Sequence, residues 1–138
     1  MIVLDQDDIN SLALCAWKEA RGEGLEGMQA VLHVIFNRAG HPGFASTIHD
    51  VIYGKNQFSS MSITSDPEFN LQPSPGDPQF AYCLSIANSI QTDPDCTLGA
   101  HYYADLRHTT SGWFFNHIVN DTVNHPHTVK IQNQDFYV

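Results

Sequence analysis

Apolar residues at Ile9, Leu12, Ala13, Ala16, Trp17 and Ala20 follow the 3.6-residue period of one helical face, which predicts a helix over residues 5–20. Asp5 is its expected N-cap, with Asp7 and Asp8 in the first turn, where the helix dipole favours negative charge. Gly22 and Gly24 break the pattern. A second helix is predicted over residues 26–39. Met28, Val31, Leu32, Ile35 and Ala39 share one face, and Ala30, Val34 and Phe36 widen it. A helix apolar over most of its circumference is buried, so this is the expected central helix, with Gly40 as its C′ residue. A loop over 41–44 leads to a short helix over 45–52, with Ile48, Val51 and Ile52 inward. Residues 53–76 are turn-rich, with Pro67, Pro73 and Pro75, and long loops inside compact domains tend to be functional. Asp77-Pro78 opens a further helix toward Ile90, Asp as cap and Pro at the first turn. Residues 100–104 have strand composition, and the aromatic clusters Trp113-Phe114-Phe115 and Phe136-Tyr137 follow. The expected fold is mainly α, of the α+β kind, with short extended segments in the second half.

The 138 residues form one expected domain, 1–138, long enough to bury a real core. Hydrophobic residues at 42% and charged residues at 15% exclude a disordered chain. No apolar run reaches the length of a membrane span, so no stable membrane insertion is expected. The first residues carry acids where a secretory signal carries Lys or Arg. The reading is a chain made in the cytoplasm without a signal of its own. Six basic residues against fifteen acidic ones give a formal charge of −9, which argues against a nucleic-acid partner. Cys15, Cys83 and Cys96 fit neither a disulfide framework nor a zinc-ligand spacing, and Cys15 and Cys83 read as small apolar residues inside helices.

Glu19-Ala20-Arg21-Gly22-Glu23 stands where the first apolar helix stops. Desolvation disfavours a charged carboxylate, so a Glu at the end of a buried helix suits general-acid chemistry. Glu19 is the candidate acid, and Glu23 is a possible second carboxylate or cleft residue, with Asp50 and Asp105 as other candidates for a second carboxylate. Five histidines, His101, His108, His117, His125 and His127, crowd the second half without a recognisable metal signature, and neither metal nor cofactor is expected. No nucleophile-elbow or phosphate-loop pattern occurs. The exposed or core aromatics Phe58, Tyr102, Tyr103, Trp113 and Phe114 offer flat faces that suit sugar rings.

Taken together, these segments resemble the cell wall hydrolase family typified by spore-cortex-lytic enzymes, with similar domains in phage-encoded lysins. The resemblance runs from Glu19–Glu23 through Gly27-Met28-Gln29-Ala30-Val31 to Asn37-Arg38, then Pro42-Gly43-Phe44, Val51-Ile52-Tyr53, Gln57-Phe58-Ser59, Gly99-Ala100-His101-Tyr102-Tyr103 and Phe136-Tyr137. It departs at Gln132 and Gln134, which stand where Gly and His are expected. The resemblance implies a lysozyme-like, lytic-transglycosylase-like domain acting at the bacterial cell wall. Glu19 is then the acid/base, and the cleft holds Glu23, Gln57, Phe58, Ser59, Tyr102 and Tyr103. It implies peptidoglycan glycan strands as partner, with no separate wall-binding module. A lysin of this kind is released by a separate membrane-permeabilising protein. Three other readings stay open: a muramidase using a second carboxylate, a non-catalytic glycan-binding module, and a metal-dependent hydrolase.

Overall fold

The computed structural model describes residues 3–138. Helix α1, Gln6–Ala20, opens on a capping box in which Asp5 accepts from the Asp8 N–H at 2.8 Å and Asp8 accepts from the Asp5 N–H at 3.2 Å. A 3₁₀ turn, Arg21–Glu23, leads into α2, Gly24–Arg38. Then come α3, Ile48–Tyr53, the single turn α4, Ser59–Ser62, and α5, Pro78–Asn88. Strand β1, Tyr102–Ala104, is followed by the short α6, Gly112–Phe114, which runs into a π-helical turn at Phe115–Val119. Strands β2, His127–Ile131, and β3, Gln134–Tyr137, complete an antiparallel sheet of order β1-β3-β2. Among the described residues no helix is long and apolar enough to cross a membrane.

Helix α2 begins two residues earlier than the pattern predicts, because Gly24 adopts φ +75° and turns the chain out of the 3₁₀ segment. Its two flanks are buried against different partners. Met28, Val31, Leu32 and Ile35 join Leu12, Ala16, Ile52 and Ala87 in the larger core, built by α1, α3 and α5. Ala30 and Val34 pack with Ala100, Ile131 and Phe136, the core of the sheet side. Three polar residues of α2 are paired across to one connection. His33 Nε2 lies 2.6 Å from Asp93, Gln29 donates to the same carboxylate at 2.8 Å, and Asn37 donates to Asp95 at 2.8 Å and to the Ala100 carbonyl at 3.1 Å. Burial pushes the Asp95 carboxyl up, but hydrogen bonds from Thr97, Asn37 and Gly99 outweigh it and hold the group below the usual range.

Two further expectations change. The helix predicted over 45–52 starts at Ile48, because the Thr47 side chain accepts from the Asp50 N–H at 3.1 Å and so caps it there. The long turn-rich stretch contains α4 and is fastened by Lys18, whose ammonium donates to the carbonyls of Ser60 at 3.2 Å and Phe69 at 2.8 Å.

The junction between α2 and the sheet is His101. Its N–H donates to the Tyr137 carbonyl at 2.8 Å, its carbonyl accepts from Arg38 Nε at 2.7 Å, and its ring stacks on His41 with centroids 3.7 Å apart. The residue is 8% exposed, and its Nδ1 has no hydrogen-bond partner among the described residues. Burial, then His41 and Arg38, push this imidazole down to about 4.

Two outcomes are expected. A Cβ on Gly27 would stand 2.4 Å from the Glu23 Cβ, whereas one on Gly22 would meet nothing within 4 Å. Gly27→Ala should therefore cost about 1–3 kcal/mol in urea unfolding by forcing the corner apart. Gly22→Ala should be neutral or stabilising by about 0.4–1 kcal/mol. Equal destabilisation by both would remove the steric argument. The second concerns pH. An unfolded-chain His titrates near about 6.5, so between there and about 4 the unfolded state binds a proton that folded His101 refuses. Its stabilising contribution is complete above about pH 6.5 and is lost as pH falls toward about 4. Thermal melts should show Tm falling across this window, with a shallower fall in His101→Gln; parallel curves for the two proteins would refute it. The depressed carboxylates lose their contribution only below their ordinary value of about 3.9, outside the window.

Candidate functional site

Glu19 is the penultimate residue of α1, half-buried at the corner where the chain turns into α2. Its neighbours on the inner face, Cys15 and Ala16, are fully buried. Two hydroxyl groups reach its carboxyl. Ser60 Oγ donates to Oε2 at 2.7 Å, and the Tyr103 hydroxyl donates to Oε1 at 3.1 Å. They come from α4 and from β1, so three separate elements fix one carboxyl orientation. Burial, followed by the Glu19 charge, raises the Tyr103 phenol well above its usual range, so it keeps its proton and remains a donor. The same two causes raise Cys15 well above the usual thiol range, which removes it as a nucleophile.

Ser60 faces Glu19 for a packing reason. Phe58, 4% exposed, and Met61 insert into the larger core, and this seats the single turn α4 against α1. Lys18 then clamps the Ser60 carbonyl from below. Burial lowers the Lys18 pKa, and its two carbonyl acceptors and the Phe69 ring 5.8 Å away offset the cost of holding it out of water.

Glu19 opens into a cleft of about 540 Å³, lined also by Arg38, Phe44, Gln57, Phe58, Tyr102 and Tyr103, with Asn56, Trp113 and Phe114 at its margin. The Arg38 guanidinium lies over the rings of Phe44, Phe58 and Tyr102 at 5.1, 5.3 and 5.9 Å from their centroids. Its Nη1 reaches Gln57 Oε1 at 3.5 Å. Strand alternation separates the adjacent tyrosines. Tyr103 stacks on Phe136 and reaches Glu19, while Tyr102 meets Phe44 and His125.

The residues singled out in the sequence do not all converge. Glu19, Gln57, Phe58, Tyr102 and Tyr103 share the cleft. Ser59 does not: its hydroxyl turns outward to Asp66 at 2.6 Å, and Ser60, one residue on, takes the place beside Glu19. Glu23 is not among the cleft-lining residues; its carboxylate accepts the Asn133 N–H at 3.2 Å. Asp50 is exposed on α3. Asp105 is paired with Arg107, whose hydrogen bonding holds it down at about 2. Glu19 is the single carboxyl group on the cleft wall among the described residues. The histidines are dispersed: His117 contacts the Trp113 carbonyl, His125 the Val138 carbonyl, and His127 the Asp135 carboxylate. No group of three or more His, Cys, Asp or Glu side chains is placed to hold a metal ion among the described residues.

The sequence reading missed Lys18, Ser60 and Arg38 as parts of this site. The available signal for Lys18 was a charged residue flanked by the apolar run Cys15-Ala16-Trp17 and Ala20, too weak to separate a clamp from a solvated helix end.

The cell wall hydrolase family profile matches residues 22–137, beginning three residues after Glu19. The spore cortex-lytic enzyme of Oceanobacillus iheyensis is 34% identical over 110 residues, which make up 80% of this chain and 37% of that protein. That of Halalkalibacterium halodurans is 30% identical over 110 residues, 80% of this chain and 31% of the relative. The chain thus spans less than two fifths of the curated relatives it matches. Among solved structures, the catalytic domain of the germination-specific lytic transglycosylase SleB from Bacillus anthracis superposes with a TM-score of 0.74 at 27% identity, covering 98% of this chain and 97% of that domain. The catalytic domain of the Bacillus cereus SleB protein gives 0.72 at 27% identity, covering 99% and 93%. The helical body and three-stranded sheet are thus those of a lysozyme-like catalytic domain. By its profile match and its relatives, this chain belongs to the cell wall hydrolase family.

Proposed function

We propose that this domain cleaves peptidoglycan glycan strands between N-acetylmuramic acid and N-acetylglucosamine, as a lytic transglycosylase with Glu19 as its one acid/base. The observation that carries the reading is the lone carboxyl group of the cleft, oriented by Ser60 and Tyr103. The description of the Bacillus anthracis domain as a lytic transglycosylase supports it.

In this scheme the protonated Glu19 carboxyl donates its proton to the glycosidic oxygen as the C1–O bond breaks. Positive charge develops at C1 of the muramoyl ring. Glu19, now a carboxylate, takes the proton from the muramoyl 6-hydroxyl while that oxygen closes on C1. The product is a 1,6-anhydro ring, the carboxyl is protonated again, and no water is consumed. An inverting or retaining hydrolase needs a second carboxyl group about 5–9.5 Å from the first. Glu23, Asp50 and Asp105 are engaged or exposed elsewhere, which favours the single-carboxyl route.

Glu19→Gln preserves shape and removes the proton donor, so turnover should fall by about 10²–10⁴-fold with the melting temperature retained. Mass spectrometry of muropeptides released by the unaltered protein should show anhydromuramoyl ends, one water lighter than reducing ends. Reducing ends would instead establish hydrolysis, and unchanged turnover in Glu19→Gln would dismiss the acid assignment. Ser60→Ala and Tyr103→Phe each remove one orienting hydrogen bond of about 0.5–1.5 kcal/mol, so each should lower kcat by up to about tenfold.

The charge of −9 repels an anionic wall. Raising ionic strength from about 0.01 M to about 0.15 M shortens the screening length from about 30 to about 8 Å and should raise the rate on intact walls. A rate independent of salt would show that the cleft surface, not net charge, governs encounter.

A further inference from the structure

Two of the chain's arginines are matched with carboxylates, Arg21 with Glu68 and Arg107 with Asp105. Arg38, at the end of α2, has no carboxylate partner among the described residues, yet it is the one cation on the wall of the Glu19 cleft. Its Nε is taken up by the His101 carbonyl, and Nη1 reaches Gln57 Oε1 only at the long limit of 3.5 Å. The remaining N–H groups, both on Nη2 among them, have no acceptor among the described residues. The rings of Phe44, Phe58 and Tyr102 crowd the guanidinium and keep water from it.

A cation so held is costly. Burial lowers the Arg38 pKa, against the opposing pull of Tyr103, Tyr102, Cys15 and Glu19. In the acid form that the proposed scheme requires, Glu19 is neutral and supplies no counter-charge. Bracing the cleft wall does not need the charge either, since a glutamine amide could meet the His101 carbonyl without burying one. The free edge of a guanidinium instead matches the two oxygens of a carboxylate, in a low-dielectric pocket that strengthens the pair. The proposed substrate carries such a group close to the reacting carbon. Muramic acid bears at O3 a lactyl group whose carboxyl is either free or amide-linked to a peptide with carboxylates of its own. A phosphate on the 6-hydroxyl does not fit, because ring closure needs that hydroxyl free.

We propose that Arg38 determines specificity by binding a carboxylate on the O3 substituent of the muramoyl ring whose C1 faces Glu19. The inference rests on the proposed reading of the cleft as the site of glycan cleavage.

The test uses soluble glycan strands in two forms, peptide-bearing and amidase-stripped, each with its carboxylates free or capped as methylamides. Calorimetry on the Glu19→Gln protein reads binding, and kcat and KM of the unaltered protein are measured on the same strands. Capping should weaken binding about tenfold or more and raise KM with kcat little changed. The effect in stripped strands assigns the lactyl carboxylate, and an effect confined to peptide-bearing strands assigns the stem peptide. Arg38→Gln should bind free and capped strands alike, while Arg38→Lys, which keeps the charge but not the fork, should retain part of the preference. The ratio of free to capped affinity is internal to each protein, so a loss of folded material does not imitate the result. Equal binding of free and capped strands by the Arg38-bearing protein overturns the proposal without any change at Arg38. A preference undiminished in Arg38→Gln overturns it too. Cleavage of free and capped strands with equal KM overturns the carboxylate site and leaves the reaction standing. Carboxylate-dependent binding without cleavage of any strand by the unaltered protein supports the site and defeats the reaction.

Discussion

Burial of α2 on both flanks is the constraint from which the rest of the architecture follows. Its larger flank closes the helical core and its smaller flank, Ala30 and Val34, closes the core beneath the sheet. The polar side chains that a helix so placed turns toward the protein lose water and must find protein partners. Gln29 and His33 do so at Asp93, Asn37 at Asp95, and Arg38 at the His101 carbonyl. Those pairings dictate the path of residues 93–101 and deliver the chain to β1 at a fixed register. Tyr103 then meets Phe136 on one side and Glu19 on the other. The small side chains on the sheet-side flank have a separate consequence: they let the sheet approach closely enough for a tyrosine hydroxyl to span the gap to α1.

The Glu19 environment is assembled from sources far apart in the chain, at positions 19, 60 and 103. Such a constellation is only as precise as the least stable of its supports. The weakest by length is α4, a single turn that could not persist alone. It is held by Phe58 and Met61 in the core and by the Lys18 ammonium on its backbone. A buried ammonium is a costly clamp, and an apolar residue could fill the volume. What an apolar residue could not do is satisfy the Ser60 and Phe69 carbonyls, which face inward in a stretch too irregular to pair them with itself.

Helices α1 and α5 were legible in the sequence because period, cap and break agree at each, and α2 because its apolar period is long and bounded by glycines. Asp5 and Asp77 accept the N–H groups that their helices leave unpaired. The place of Glu19 on the cleft wall could be suspected because a carboxylate stands where an apolar helix stops, and the ordered motifs along the rest of the chain gave that position weight. Strand β2 was not. Its exposure along His127–Ile131 does not alternate cleanly, and the pairing slips between His127 and Val129, so no period of two survives. Nor could sequence separate Ser59 from Ser60. On a single helical turn neighbouring residues point about 100° apart, and only the burial of Phe58 sets which one faces α1. Tyr102 and Tyr103 pose the same problem at a strand's 180°.

The departures at the end of the chain show how the second glutamate of the motif is used. Gln132 begins the β2–β3 turn at φ +54°, a conformation that glycine adopts freely and glutamine does not. Gln134, buried beside it, leaves its Oε1 without a partner among the described residues. This hairpin tip is therefore less favourable than one carrying glycine and a well-paired side chain. Its compensation is the Glu23 carboxylate, which reaches across from the α1–α2 corner to take the Asn133 N–H. A hydrogen bond from a backbone amide to a charged acceptor is stronger than a neutral one, and it ties the turn to the α1–α2 corner. The same corner that aims Glu19 into the cleft thus turns Glu23 toward the sheet. The five-residue motif holds two carboxylates with divergent surroundings, one among orienting hydroxyls and the other on a backbone N–H.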